Sequence, residues 1–160
     1  MKFVGGHILK VDPLNVNYLI DGKLSIKQTK MFYEQLNEDE MKNIHFEVQL
    51  NNHRIYSKSS DSIEYGIKYL QKQLPDNVNI ACCQSCRHGN FNPIGDIENQ
   101  LFCLKDKTIC NRNDVVEIFS KQDIDLETRR RKLLDFCNDF QPIAHNEKYT
   151  YNDWGLEKLS

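Results

Sequence analysis

The sequence predicts an α+β protein: N-terminal antiparallel hairpins, one packed helix, a zinc-stabilised cysteine loop and C-terminal helices. Three observations predict it. Apolar and polar residues alternate over much of the first half, the period of a half-buried strand. After Asp61 the apolar spacing changes to that of a helix. Five of the six cysteines crowd into residues 82–110.

Taken in order, Phe3 to Val11 predicts a strand, and Pro13 marks its end because proline cannot donate to a ladder. Val16, Tyr18 and Ile20 alternate with polar residues up to Asp21-Gly22, and Leu24 and Ile26 alternate on the way back. That is a hairpin signature, since glycine supplies the positive φ that a two-residue turn needs. Residues 28–43 read as either a short helix or a long loop, and they carry the acidic cluster Glu34, Glu38, Asp39 and Glu40. Ile44, Phe46, Val48 and Leu50 then alternate with His45, Glu47 and Gln49 as a strand whose polar side, His45 included, faces solvent. Asn51-Asn52 is a turn, because Asn tolerates the left-handed region, and His53 to Ser57 is the returning strand.

Asp61 caps the helix, with Glu64 as its reciprocal partner. Ile63, Ile67, Leu70 and Leu74 share one face, and Pro75 stops the helix. Val78 and Ile80 form a brief strand. Past the cysteines, Asn113 or Asp114 caps a short helix bearing Val115, Val116, Ile118 and Phe119. A second helix is predicted from Asp125 to Phe140, with Leu126, Leu133, Leu134, Cys137 and Phe140 inward, so that Cys137 reads as a small buried hydrophobe. The tail from Ala144 is polar with spaced aromatics and reads as loosely packed.

A chain of 160 residues suits a single domain, residues 1–160, with one core. With 39% hydrophobic and 28% charged residues it is globular rather than disordered. A net charge of −2 provides no global field toward nucleic acid or an anionic membrane. The N-terminus has no apolar core or cleavage site, so a cytoplasmic location is the expectation. Cytoplasmic thiols stay reduced, which favours metal ligation or simple burial over disulfides.

Cys83, Cys86, Cys103 and Cys110 are spaced C-x2-C-x16-C-x6-C. The C-x-x-C turn aims two sulfurs at one point with backbone amides free to bond to them, and four thiolates suit tetrahedral zinc at about 2.3 Å each. The intervening stretch is rich in turn formers (Gly89, Asn90, Asn92, Pro93, Gly95, Asp96, Asn99) and has little apolar surface to bury. Structural zinc contributes about 10–16 kcal/mol in small peptides, against about 1–2 kcal/mol per ordered backbone residue. C-x6-C is loose for a second knuckle, and Cys82 and His88 compete with Cys110 as the fourth ligand. An iron–sulfur cluster and a thioredoxin-like dithiol fit less well. The latter motif opens a helix, whereas Arg87 to Pro93 reads as a turn.

The run Cys83-Gln84-Ser85-Cys86-Arg87-His88-Gly89-Asn90-Phe91-Asn92-Pro93-Ile94-Gly95, then Leu101-Phe102-Cys103-Leu104-Lys105-Asp106, resembles a group of small uncharacterised bacterial proteins. These share C-x-x-C, a P-x-G turn and a later Cys followed by an apolar residue. The resemblance spans about 25 residues and concerns a fold element. Some members lie beside polymorphic or contact-dependent toxin genes, so it implies an immunity protein.

Scattered histidines, with no nucleophile elbow, phosphate-binding glycine loop or H-E-x-x-H, make the expected protein a non-enzyme. The acidic cluster, Phe32, Tyr33 and Trp154 are candidates for binding a toxin domain. The alternative is a zinc knuckle that binds nucleic acid, with Arg87, His88 and Phe91 at the base and Arg129-Arg130-Arg131-Lys132 as a basic strip. That strip also reads as the solvated face of its helix, paired with Glu127 and Asp135.

Overall fold

The structure, a computed structural model, describes residues 2–4, 7–95, 100–121, 125–143 and 150–155, without the side chains before residue 8. It is mixed α+β, mostly strand, with antiparallel sheets and two α-helices among the described residues. The chain forms two compact units, Met1–Ile80 and Ala81–Ser160, where the sequence predicted one domain.

The first unit is an antiparallel sheet. β1 (Lys2–Val4), β2 (His7–Ile20), β3 (Lys23–Asn37), β4 (Glu40–Leu50) and β5 (His53–Tyr56) lie in chain order, and β6 (Val78–Ala81) also pairs with β2. Both predicted hairpin turns form. Asp21 and Gly22 have φ of 53° and 80°, and Asn51 and Asn52 have 48° and 66°, the doubly positive pattern of a tight hairpin turn. Pro13 does not end a strand. It pairs with Lys30 inside β2, an exposed position where a missing N–H is tolerated. Residues 28–37, read as helix or loop, continue β3, because thirteen consecutive pairings from Ile8↔Gln35 to Ile20↔Lys23 hold them in the ladder.

One face of this sheet is core: Val16, Tyr18, Thr29, Met31, Tyr33, Phe46, Val48 and Leu50 are all buried. The Tyr18 hydroxyl shares a hydrogen bond of 2.6 Å with Thr29 Oγ1, so neither polar group is buried unpaired. α1 (Ile63–Gln73) packs on β4. Its Gly66 comes so close that a Cβ there would stand 3.0 Å from the Phe46 ring. The cap is Ser62 rather than Asp61: its hydroxyl accepts from the Tyr65 amide. Gln71 is buried and ties α1 to β6, donating to Val78 O at 3.1 Å and accepting from Ile80 N at 2.7 Å.

Leu24 and Ile26 do not join this core. Leu24 lies opposite Leu19 and Ile26 opposite Asn17, which puts them on the face away from Val16 and Tyr18. They are 54% and 65% exposed.

The second unit holds a three-stranded sheet, β7 (Gly89–Asn90), β8 (Leu101–Cys103) and β9 (Arg130–Arg131), with α2 (Arg112–Ser120) beside it. Phe102, Leu104, Val115 and Phe119 form its core, the two rings edge to face at 5.4 Å. The cap of α2 is Asn111, two to three residues before the predicted ones, in a reciprocal box with Asp114. The predicted helix 125–140 is absent. One 3-10 turn at Glu127–Arg129 leads into β9 and then turns. Sheet pairing overrides helical propensity there: Arg130 and Arg131 pair with Phe102 and Leu101, and the carbonyls of Leu133 and Asp135 accept bonds from elsewhere in the unit. The tail is better anchored than its composition implies. Thr150 and Asn152 are buried, and Asn152 Nδ2 donates to Gln84 O at 2.7 Å. Asp96, Asn99 and residues 144–149, His145 included, lie outside the described residues. No helix among the described residues is long and apolar enough to cross a membrane.

The two faces of the first sheet predict opposite sensitivities. Phe46→Ala is expected to cost about 3–5 kcal/mol, whereas Ile26→Ser stays within about 0.5 kcal/mol. Urea unfolding followed by circular dichroism measures both.

Candidate metal centre

The C-x-x-C run forms one 3-10 turn, Cys83–Ser85, closed by Cys86 N donating to Cys83 O at 3.3 Å. Glycine is needed just beyond it. A Cβ on Gly89 would stand 2.2 Å from Cys83 O, closer than two such atoms can come, so only a bare backbone fits. Gly89 then starts β7 and pairs with Cys103 of β8, which brings the third cysteine beside the turn. The amide of His88 points at Cys86 Sγ, 3.5 Å away, the amide-to-sulfur bond expected of a metal-binding knuckle.

A second segment crosses this turn. Cys83 N donates to Asp135 O at 2.7 Å and Gln84 N to Leu133 O at 3.0 Å. Arg87 N donates to Gln141 O at 2.8 Å, and Cys86 bridges Pro142. Cys137 lies between these two clamps. Cys83, Cys86, Cys103 and Cys137 line one cavity of about 180 Å³, with His88, Lys105 and Asp135 also on its wall.

Its electrostatics follow from that crowding. Burial, then the sulfurs of Cys82 and Cys86, then Asp135 and Cys103, push the Cys83 thiol up to about 12. Burial also raises Cys86. The Gln141 and His88 amides oppose it, and the sulfurs of Cys103 and Cys137 add to it. Ionising these thiols together needs a cation among them. Burial and then Arg87 lower the His88 imidazole, which favours its neutral form.

The donor set fits a thiophilic ion: sulfurs on one cavity wall, and amides aimed at one of them. Among the described residues, however, no three His, Cys, Asp or Glu side chains are already arrayed as ligands. The cysteines line a shared space instead of closing on a point.

Three of the four sequence-predicted ligands therefore come together, and Cys110 does not join them. It is exposed, and its amide bonds to Asp114 Oδ2 at 2.7 Å beside the α2 cap. Cys82 is buried and receives the Ser85 hydroxyl at 3.7 Å, and burial raises its thiol to about 11. Cys137, read as a buried hydrophobe on a helix, is exposed and on no helix. The helical spacing of Leu133, Leu134 and Cys137 concealed it. The turn formers Asn138-Asp139 just after it were the available sign.

The acidic residues lie in the first unit. Glu38, Asp39 and Glu40 are exposed at the β3–β4 turn, and Glu34 lies between Leu9 and Lys42 in the ladder. Tyr33 is core and donates to Asp12 Oδ2 at 3.0 Å. Phe32 stacks on His45, with ring centroids 4.8 Å apart, so His45 is not simply solvated. Trp154 is half-buried. The basic run is largely used within its own unit. Arg129 pairs with Asp106 and donates to Cys103 O at 3.2 Å, Arg130 pairs with Glu127, and Arg131 bonds to the carbonyls of Thr128 and Arg130.

No protein-family model matches the chain, and neither does any curated protein or solved structure.

Two outcomes test this local structure. Gly89→Ala is expected to cost at least about 1–3 kcal/mol in the second unit. Hydrogen exchange should quicken at residues 83–89 and 101–104 while α1 stays protected. The hydrogen bond from Arg129 holds the Asp106 carboxyl at about 2, below its ordinary 3.8. Its contribution is therefore complete above about pH 4 and fades as pH falls toward 2. Asp106→Asn should remove that acid-sensitive contribution, worth less than about 1 kcal/mol at such an exposed site, as read by denaturant titrations from pH 2 to 5.

Proposed function

We propose that this chain is a non-catalytic, zinc-containing protein that binds another protein, and that it serves as an immunity protein against a bacterial toxin. Zinc gives the second unit its shape, and the support for it is the cavity that Cys83, Cys86 and Cys103 share.

One observation carries the binding half: the outer face of the first unit's sheet leaves several large apolar side chains open. Leu9, Val11, Leu24, Ile26 and Tyr56 point to that side and are 36–65% exposed. They fall in separate groups, Leu9 with Val11 at one end of the β2–β3 ladder and Leu24 with Ile26 at the other, with the Pro13–Lys30 and Asn15–Gln28 pairs between them, and exposed apolar groups of this kind mark interaction sites. The acidic hairpin borders it, with Glu34 directly opposite Leu9 and Glu38, Asp39 and Glu40 beyond. A partner complementary to this face has an apolar centre and a basic rim. Aromatic and aliphatic anchors would hold the complex, and the acidic turn would steer encounter.

A toxin domain with a basic active-site cleft has such a surface, and the resemblance of residues 83–106 to toxin-associated proteins leads to the same partner. The alternative, a nucleic-acid-binding zinc knuckle, has less support because Arg129, Arg130 and Arg131 are engaged inside their own unit.

Titration calorimetry and stopped-flow mixing with the toxin domain encoded beside this gene test the reading. The expected Kd is about 1 nM or lower. Val11→Asp with Ile26→Asp should weaken binding at least about 100-fold, a loss of about 2.7 kcal/mol. Glu38→Lys with Glu40→Lys should mainly slow association and reduce its salt dependence. Failure of the wild-type chain to bind that domain, or to protect cells expressing it, would overturn the immunity role.

A further inference from the structure

The geometry points to Cys83, Cys86, Cys103 and Cys137 as the complete zinc ligand set, with Cys110 outside it. This rests on the zinc reading above and completes it, replacing a C-x6-C second half with a ligand 34 residues beyond Cys103.

Three features of the fold carry it. Cys137 is on the cavity wall with the other three, and Cys110 is not. Its position does not depend on its own side chain. Backbone bonds from Cys83 and Gln84 to Asp135 and Leu133 fix the chain before it, and those from Arg87 and Cys86 to Gln141 and Pro142 fix the chain after it. The same turn that presents Cys83 and Cys86 thus also holds Cys137 across from them. Cys110, by contrast, is tied into the start of α2 through Asp114.

The other donors on the wall have further surroundings of their own. Asp135 Oδ2 accepts the Lys132 amide at 2.8 Å in its own turn. His88 also lines a separate recess with Lys105, Asp106 and Asp139, where Lys105 bonds Asp139 at 2.8 Å. Its link to the centre is its backbone amide, which donates to Cys86 Sγ. As zinc binds, four thiols release their protons to solvent and four zinc–sulfur bonds form. A ligand from residue 137 would join the two ends of the second unit's described core, so metal binding would stabilise the whole unit rather than one loop.

The test is elemental analysis of the full-length chain, purified without chelator from zinc-supplemented growth, together with titration of zinc-free protein by cobalt(II). The expected result is one zinc per chain, retained by Cys110→Ser and His88→Ala and weakened at least about tenfold in Cys137→Ser. Because misfolding alone would also cost Cys137→Ser its metal, Cys137→His is the second variant. It should keep one zinc while the sulfur-to-cobalt charge-transfer band weakens, whereas Cys110→Ser leaves that band unchanged. Loss of zinc in Cys110→Ser or His88→Ala with full retention in Cys137→Ser would overturn this ligand set and leave the zinc reading standing. A wild-type chain without zinc, and without sulfur-to-cobalt absorption, would overturn both.

Discussion

The second unit depends on a backbone clamp. The amides of Cys83, Gln84 and Arg87 find their acceptors in residues 133–141, so the cysteine turn is completed by chain about 50 residues away. Amides withdrawn from water must be paired, and these three find their partners across the unit. Other features follow from that demand. Residues 130–137 are drawn into pairing and turns instead of a helix, Cys137 arrives at the cavity, and Gly89 must stay bare so that Cys83 O can pass it.

The first unit is governed by a simpler constraint. Successive side chains on a strand point to opposite faces, and hairpin register sets which residues share a face. Val16, Tyr18, Thr29, Met31, Phe46 and Val48 fall on the side that α1 covers, while Leu9, Val11, Leu24, Ile26 and Tyr56 fall on the other. The core and the open apolar surface are therefore two consequences of one register. The buried Gln71 amide and the Tyr18–Thr29 pair satisfy the polar groups that the packed side encloses.

The two units hold together by different means. The first buries a broad sheet face under a helix. The second has one core cluster around Phe102, Leu104, Val115 and Phe119, with Leu101 and Leu133 also buried among its described residues, and loop-to-loop hydrogen bonds order much of the rest.

What the sequence determined by itself was local. Asp21-Gly22 and Asn51-Asn52 fix their turns because their φ requirement is met within two residues. The alternation from Ile44 to Leu50 and the helical spacing from Ile67 to Leu74 show in their own segments. Cys83 and Cys86 were legible as a pair because three residues of turn suffice to bring them together. Only the tertiary structure decided which face Leu24 and Ile26 take, because that depends on cross-strand register. It likewise decided that residues 28–37 are strand, and that Cys137 rather than Cys110 stands by the other cysteines. Helical periodicity in residues 125–140 is a local preference worth a few tenths of a kcal/mol per residue. Three amides of the cysteine turn, paired with residues 133–141, outweigh it, and no reading of that segment alone could reveal them.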